Sequence, residues 1–341
     1  MYLAFYGLHE KPFGATPDPR FLYLAPSHRE ALAQLVYGVQ EKKGFLVLTG
    51  EVGTGKTTLL HALLGRFDGN TAVAFVFNST LGFDGILEYA LEDFGIAAAG
   101  QTRAQRLVAL NVFLVERRRA GQNTVLILDE AQNLDAATLE QVRLLSNFET
   151  ATEKLLQILL VGQPELRDRL AVPELRQLKQ RIALRCRIRP LSPEEIAGYV
   201  RARLRIAGAR DGGLFTPDAL DRIAEFAGGI PRVINAVCDH CLLIGYADQR
   251  RHIDQDVVEE AIRYLEEGEW PTTGESPGSG RGLLRGLRGL RLPRWVWVGG
   301  ALAAGVGGAL VPALTFRPAA LHHVMGPLAE LAARLRDLVS R

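Results

Sequence analysis

The feature that most constrains this chain is a glycine-rich loop between a predicted strand and a predicted helix. The segment Gly50–Thr57 matches the pattern G-x-x-x-x-G-K-[ST] at every fixed position. The apolar run 45–48 precedes it, and residues 59–64 have the apolar pattern of a helix. In this context, loop N–H groups and the helix N-terminus face a phosphate. The alternative, a glycine-rich turn without a ligand, leaves the lysine and threonine unexplained.

The loop predicts how a nucleotide and its metal are held. Lys56 is expected to reach the β- and γ-phosphates, and Thr57 is expected to bind Mg²⁺ through its hydroxyl. The predicted cofactors are therefore ATP and Mg²⁺. The predicted nucleotide-binding residues are Gly50, Glu51, Val52, Gly53, Thr54, Gly55, Lys56, Thr57 and Thr58.

Polar residues also follow two later apolar runs. Residues 124–128 lead directly into Asp129 and Glu130, the pattern of a buried parallel strand whose carboxyl end carries ligand-binding groups. Asp129 is expected to hold the Mg²⁺ shell, and Glu130 is expected to orient and polarise the attacking water. A solvated acidic turn is the alternative. The run 155–161 ends before Gln163, a candidate sensor of the γ-phosphate.

Several arginines are candidates for further catalytic roles. Residues 165–189 are rich in arginine, and one of them is expected to reach a neighbouring subunit's γ-phosphate as an arginine finger. Arg181 is the first choice, with Arg176 and Arg185 as competitors. Arg232 opens a later predicted helix beside a Gly-Gly pair, where it is either a second sensor or a surface arginine.

The order of elements predicts the fold. Strands alternate with helices up to about residue 190, which predicts a parallel sheet covered by helices on both faces. Helix-start patterns at Ser192 and Thr216 then open a region of four helices without strands. The predicted units are a nucleotide-binding α/β domain (1–190), a small all-α lid (191–268), a linker rich in Gly, Pro and Ser and then in Arg (269–294), a transmembrane helix (295–316) and a short periplasmic tail (317–341).

The amino-acid composition limits the classes of function that the chain can have. The formal net charge of +2 excludes a protein that binds polyanions by its overall charge. Three cysteines do not make a disulfide framework. Cys238 and Cys241 lie in an apolar helical stripe and are interpreted as buried small hydrophobic residues, not as metal ligands. The aromatic-rich segment 1–30 is expected to pack against the nucleotide domain, either beside the adenine or as an ordinary arm.

The segment 295–316 predicts a membrane span. It carries no charged residue, and Trp295 and Trp297 suit a membrane interface. The alternative is a buried or interfacial hairpin. Positive residues on one side of a span are typical of the cytoplasmic side, which places the ATP-binding part in the cytoplasm. The arginines before the span are Arg281, Arg285, Arg288, Arg291 and Arg294.

These motifs together resemble the ExeA-like (general secretion pathway protein A) branch of the AAA+ ATPases. The resemblance implies a Walker A motif at 50–57, a Walker B motif at Asp129 and Glu130, sensors at Gln163 and Arg232, and ATP-dependent oligomers. The stretches that carry it are 5–8, 12–13, 17–22, 28–32, 50–57, 128–132, 144–149, 161–166 and 229–232.

The resemblance also implies partners and a location. Family members with a C-terminal span work with an inner-membrane partner to help assemble the type II secretion pore. This chain is therefore expected to be a single-pass inner-membrane ATPase, with a cytoplasmic ATPase domain, that drives or regulates assembly of a secretion or pilus machine. The full-length family carries a peptidoglycan-binding domain after the span, but only 317–341 follow it here, so wall binding is not expected.

Two other hypotheses come from different functional classes. The same branch is similar to transposition-regulator ATPases, which form filaments on DNA, so nucleic acid is a second partner class and 165–189 its contact region. A scaffold that uses nucleotide only as a structural switch is the third hypothesis.

Overall fold

The computed structural model describes residues 1–67, 69–77, 81–97, 99–209 and 213–267. The strands in these ranges are β1 (Phe45–Thr49), β2 (Thr71–Val76), β3 (Asn123–Leu128), β4 (Gln157–Gly162) and β5 (Ile182–Arg187). They form one parallel sheet in the order β2-β3-β4-β1-β5. The predicted α/β fold with a parallel sheet is confirmed.

Helices cover this sheet and continue beyond it. Those that precede β5 along the chain are α1 (Tyr2–Tyr6), α2 (Pro26–Gln40), α3 (Lys56–Leu64), α4 (Phe83–Asp93), α5 (Arg103–Arg119), α6 (Ala136–Leu145), α7 (Glu165–Arg169) and α8 (Arg176–Arg181). Those that follow it are α9 (Pro193–Ile206), α10 (Pro217–Ala227), α11 (Pro231–Ala247) and α12 (Gln255–Glu267).

Both faces of the sheet are buried, which explains the continuous apolar runs of its central strands. In β1, Phe45 and Val47 pack in a cluster with α4, α5 and α6. Leu46 and Leu48 face the other way and pack with α2 and α3. Because strand side chains alternate between faces, each central strand supplies apolar residues to both clusters.

The strand β5 was missing from the sequence interpretation, which treated 165–189 as an arginine-rich solvated region. It lies at the edge of the sheet and pairs with β1 alone among the described strands. Its side chains alternate in exposure: Arg185 and Arg187 are exposed, whereas Cys186 is buried. A half-exposed edge strand tolerates charge on its outer positions, so its sequence lacks the apolar run of a central strand.

The N-terminal arm, which the sequence predicts to pack against the nucleotide domain, contributes its buried aromatic residues to the lid core. Tyr2, Phe13 and Phe21 belong to the hydrophobic cluster formed by α9 to α12. The predicted helix starts at Ser192 and Thr216 are confirmed, since each side chain accepts an N–H from the first turn. The boundary between 1–190 and 191–268 stays a prediction.

The predicted C-terminal segments fall outside the described ranges. These are the linker 269–294, the span 295–316 and the tail 317–341. In residues 1–267, where described, no helix has both the length and the apolar character needed to cross a bilayer.

Candidate nucleotide-binding site

The loop between β1 and α3 has the curled backbone that phosphate binding requires. Gly53 and Gly55 adopt φ angles of +80° and +96°, a left-handed region that favours glycine. A Cβ on Gly50 would lie 2.9 Å from the hydroxyl oxygen of Thr54, which is buried and donates to the carbonyl of Glu51 at 2.8 Å. The residues of this loop therefore fit a phosphate group.

Lys56 opens α3 and lies inside this loop. Its Nζ donates to the carbonyl oxygens of Gly50, at 2.9 Å, and Glu51, at 3.1 Å. Burial lowers the pKa of Lys56, while the charges of Glu130 and Asp129 oppose that shift. Among the described residues, the hydrogen-bond acceptors of this buried ammonium are these two loop carbonyls, and charged phosphate oxygens bind a cation more strongly than carbonyls do.

The carboxyl end of β3 carries a buried acid suited to a metal ion. Asp129 is 8% exposed, and its Oδ1 accepts the backbone N–H of Glu130 at 2.9 Å. Burial raises the pKa of Asp129 above its ordinary value. No group of three or more His, Cys, Asp or Glu side chains in the described ranges could hold a metal alone. The hydroxyl of Thr57 and the carboxylate of Asp129 fit Mg²⁺, which commonly takes substrate phosphates and water as its other ligands.

Glu130 is held by two glutamines. Its Oε2 accepts Nε2–H of Gln132 at 2.6 Å and Nε2–H of Gln163 at 3.1 Å. Oε1 of Gln132 in turn accepts the backbone N–H of Gln163 at 3.1 Å. Burial raises the pKa of Glu130, but these donors and the charge of Lys56 outweigh burial and lower it overall. Sequence reasoning predicted Glu130 and Gln163 but missed Gln132, whose only signal was its position two residues after Glu130.

A cavity of about 450 Å³ adjoins the loop and extends towards the N-terminal arm and α11. Lys56, Thr57, Glu130 and Arg232 are brought together along its wall. The arm contributes residues 13–18 and 21–23. The aromatic-rich N-terminal segment therefore borders the same space as the phosphate loop.

His28, on α2, is a second residue that sequence reasoning did not assign. It is 3% exposed, and its Nε2 lies 2.9 Å from the carbonyl oxygen of Thr54. A carbonyl only accepts, so the proton is on Nε2 and Nδ1 is an acceptor. That buried Nδ1 has no partner among the described residues. Burial lowers the pKa of His28, in part opposed by the Thr54 carbonyl. His28 thus supports the loop as a neutral donor.

The two predicted arginine roles have different structural settings. Arg232 opens α11, lines the cavity, and donates its backbone N–H to the carbonyl of Gly53 at 3.2 Å. Arg181 donates to Ser146 and to Asn147 at the end of α6. Among the described residues that line the cavity, Arg181 does not appear. Its predicted action on a neighbouring subunit, and the sensor role of Arg232, stay predictions.

The two competitors of Arg181 are exposed. Arg176 lies at the start of α8 and Arg185 on β5. The Nη2 of Arg185 donates to the carbonyl of Lys179 at 3.0 Å.

The cysteines behave as buried hydrophobic residues, as predicted. Cys238 and Cys241 are fully buried in the lid core, Cys186 is 3% exposed, and all three are free thiols. Burial raises the pKa of each thiol, which removes thiolate character at neutral pH.

Comparison with known proteins relates this chain to AAA proteins. Residues 39–170 match the family model described as an AAA domain. Over 304 residues, 88% of this chain, the sequence is 40% identical to General secretion pathway protein A of Aeromonas hydrophila. Over most of its length the chain is therefore similar to general secretion pathway protein A, and its residues 39–170 match an AAA domain. The predicted resemblance is confirmed. The match spans 54% of that relative, about half its length.

Solved structures share the AAA fold at low sequence identity. Cdc6p from Pyrobaculum aerophilum superposes with a TM-score of 0.56 and 20% identity, covering 73% of this chain and 71% of that one. The Aeropyrum pernix ORC2 protein, in ADPNP–ADP complexes, gives 0.54 and 19%, covering 73% and 69%. These similarities confirm an α/β P-loop fold of the AAA type.

Proposed function

We propose that this AAA protein is an Mg²⁺-dependent ATPase that works as a ring or other oligomer. The observation that carries the proposal is the convergence of Lys56, Thr57 and Glu130 on one cavity beside Asp129. These are the residue types that bind phosphate, hold a divalent cation and orient water in other phosphate-loop enzymes.

The residues divide the work of phosphoryl transfer to water. Lys56 binds phosphate oxygens, and Thr57 and Asp129 hold Mg²⁺, which when bound neutralises charge that develops on the phosphates. Glu130 orients the attacking water with its carboxylate. We assign the sensor roles to Gln163, whose amide donates to Glu130, and to Arg232, which lines the cavity. We assign the arginine finger to Arg181 of a neighbouring subunit, because this side chain is not among the described residues that line the cavity of its own subunit.

We further propose that the ATPase is anchored in the inner membrane by 295–316, with its AAA domain in the cytoplasm, and drives or regulates assembly of a secretion or pilus machine together with a membrane partner. The support is the 40% identity to General secretion pathway protein A and the uncharged run flanked by arginines.

Cell fractionation tests whether 295–316 anchors the protein in the membrane. The full chain should stay in the membrane pellet after a high-salt wash and a variant lacking 295–316 should not; recovery of the full chain in the supernatant contradicts the proposal.

Two substitutions test hydrolysis in the full chain with Mg²⁺ and ATP. Lys56→Ala should lose nucleotide binding, because no other cation inside the loop reaches the phosphates. Glu130→Gln should bind ATP with near-normal affinity and turn over at least about 100-fold more slowly. Nucleotide binding by fluorescence and phosphate release measure both. Unchanged turnover in Glu130→Gln removes the assignment of Glu130, and no turnover in the wild-type protein removes the ATPase.

A DNA-binding regulator is the second candidate, favoured by one surface feature. Arg185, Arg187 and Arg189 are exposed and lie two residues apart along and just after β5. This spacing is about 7 Å from one arginine to the next along an extended chain. If they contact phosphates, DNA affinity should fall steeply with salt, and the triple substitution to alanine should reduce that salt dependence. Absence of binding to duplex DNA at 50 mM salt rejects this candidate.

A further inference from the structure

The contact between Gln132 and Glu130 has a fixed direction. Oε1 of Gln132 accepts the backbone N–H of Gln163 at 3.1 Å, and a backbone N–H only donates. The amide oxygen of Gln132 must therefore face Gln163, and its NH₂ group must face Glu130. That NH₂ group lies 2.6 Å from Oε2 of Glu130. The orientation of the amide is thus set by the backbone at the end of β4.

The end of β4 is shaped for this amide. A Cβ on Gly162 would lie 2.6 Å from Oε1 of Gln132. Gly162 does not have a left-handed φ, so its backbone alone does not call for glycine. The missing side chain provides space that the Gln132 amide oxygen and Leu166 occupy. Gln132 itself is 9% exposed and lies on the short 3₁₀ turn Ala131–Asn133.

Gln132 reaches Glu130 but not the nucleotide space. Among the described residues that line the cavity, Glu130 appears and Gln132 does not. Both amides donate to the same carboxylate oxygen, Oε2. This arrangement leaves Oε1 of Glu130 without a hydrogen-bond donor among the described residues. A carboxylate held by one oxygen can present the other to water in a defined direction.

We propose that Gln132 is a positioning residue that holds the Glu130 carboxylate so that its free oxygen orients the attacking water. Gln163 donates to the same oxygen, but its amide is also the predicted γ-phosphate sensor. When the side-chain amide of Gln163 turns towards a phosphate, Gln132 still holds Glu130. The amide oxygen of Gln132 stays bound to the backbone N–H of Gln163, so the Gln132 side chain keeps its orientation. This inference rests on the proposed ATPase activity and adds a residue to it.

Gln132→Met in the full chain tests the proposal, since methionine has a similar length and no N–H donor. The kcat for ATP hydrolysis should fall about 10- to 100-fold, as expected for a misplaced catalytic group. The KM for ATP and the affinity for nucleotide should stay within about twofold of the wild-type values. The matched control is Gln141→Met, on α6, which should keep the wild-type kcat. Equal kcat values for Gln132→Met and the wild-type protein overturn the proposal.

A double-mutant cycle separates positioning from a merely structural role. If Gln132 acts through Glu130, Gln132→Met should slow the wild-type enzyme but leave the residual rate of Glu130→Gln unchanged in single-turnover measurements. An equal fold-loss in both backgrounds overturns the proposal. A wild-type protein without turnover refutes the ATPase as well, which distinguishes the two failures.

Gly162→Ala is a second test of the proposal, and it leaves the side chains of Gln132 and Glu130 chemically unchanged. Its Cβ would displace the Gln132 amide oxygen, so the same fall in kcat with unchanged KM is expected. This variant carries the test if Gln132→Met does not fold, as judged by its thermal unfolding. A folded Gly162→Ala protein with wild-type kcat overturns the proposal.

Discussion

The two ends of the cavity are built in different ways. At the phosphate end, the loop between β1 and α3 supplies Lys56 and Thr57 from one contiguous motif, and Glu130 comes from the end of a neighbouring strand. At the other end, the wall combines residues 13–18 of the arm with Arg203 and Asn235 of the lid. One end therefore depends on local backbone shape, and the other depends on contacts between segments far apart in sequence.

The arm end is held together by polar contacts that join it to the lid. Nε of the buried Arg203 donates to the carbonyl of Pro12 at 2.6 Å, and its guanidinium lies 4.8 Å from the ring centre of Phe21. The hydroxyl of Tyr2 donates to Asp239 at 2.7 Å. Changes at this end should therefore act first on stability, whereas changes at the phosphate end should act on nucleotide affinity.

Gly53→Ala should have the largest effect, because Gly53 joins the phosphate loop to the lid. A left-handed φ costs a residue with a side chain about 1–2 kcal/mol, and the new Cβ would lie 2.7 Å from Cβ of Arg232. Because the backbone strain and the close approach to Arg232 add, nucleotide affinity should fall at least about 100-fold, the equivalent of about 2.8 kcal/mol. Isothermal titration with ATP measures it.

Gly82→Ala is the control, since a Cβ there meets nothing within 4 Å and φ is −69°. It should bind ATP as the wild-type protein does. If Gly53→Ala also binds normally, local backbone shape does not set affinity at the phosphate end.

The sequence predicted the phosphate end well because its signals are local. The loop pattern, the apolar runs and the acids at 129–130 each lie within a few residues of one another. The pairing of Gln132 with Gln163 was not predictable, because it depends on the register between β3 and β4 at their carboxyl ends. Nothing in the sequence distinguishes Gln132 and Gln163 from glutamines on the protein surface.

The other features that the sequence did not predict also depend on contacts between segments far apart in the chain. β5 lacks an apolar run because it is an edge strand, so its alternation of arginine with apolar residues resembled a solvated segment. The sequence predicts that the aromatic-rich segment 1–30 packs against the nucleotide domain. Aromatic residues alone do not indicate which hydrophobic core they join. His28 lies in an ordinary helical pattern, and its bond to the Thr54 carbonyl exists only because α2 packs beside the loop.

Arg203→Met should have the second largest effect, on stability. It removes a buried hydrogen bond from a charged donor to Pro12, worth about 1.5–3 kcal/mol, while keeping an apolar stem. The free energy of unfolding in urea should fall by about 2 kcal/mol. The kcat of protein that remains folded should change less than about threefold, which is far less than the effect of Glu130→Gln.

Arg205→Met is the matched control, because Arg205 lies on the same helix and is exposed. It should leave the unfolding free energy unchanged within about 0.5 kcal/mol. A loss of turnover in Arg203→Met as large as that in Glu130→Gln would show that the two ends do not act separately.

The smallest effect should be a change in how stability depends on pH, set by His28. Burial lowers the pKa of His28 in the folded protein below its ordinary value of 6.5. As the pH falls below about 6.5, the unfolded chain therefore binds a proton more readily than the folded protein does, and the free energy of unfolding decreases.

His28→Gln tests this pH dependence, because glutamine keeps a donor for the Thr54 carbonyl but cannot titrate. Between pH 7.5 and pH 5.5 it should lose less stability than the wild-type protein, as measured by urea unfolding at both pH values. His252→Gln, at an exposed histidine, should follow the wild-type protein. Equal losses in His28→Gln and His252→Gln would mean that His28 is not a buried neutral support of the loop, and the phosphate end would then rest on the loop backbone alone.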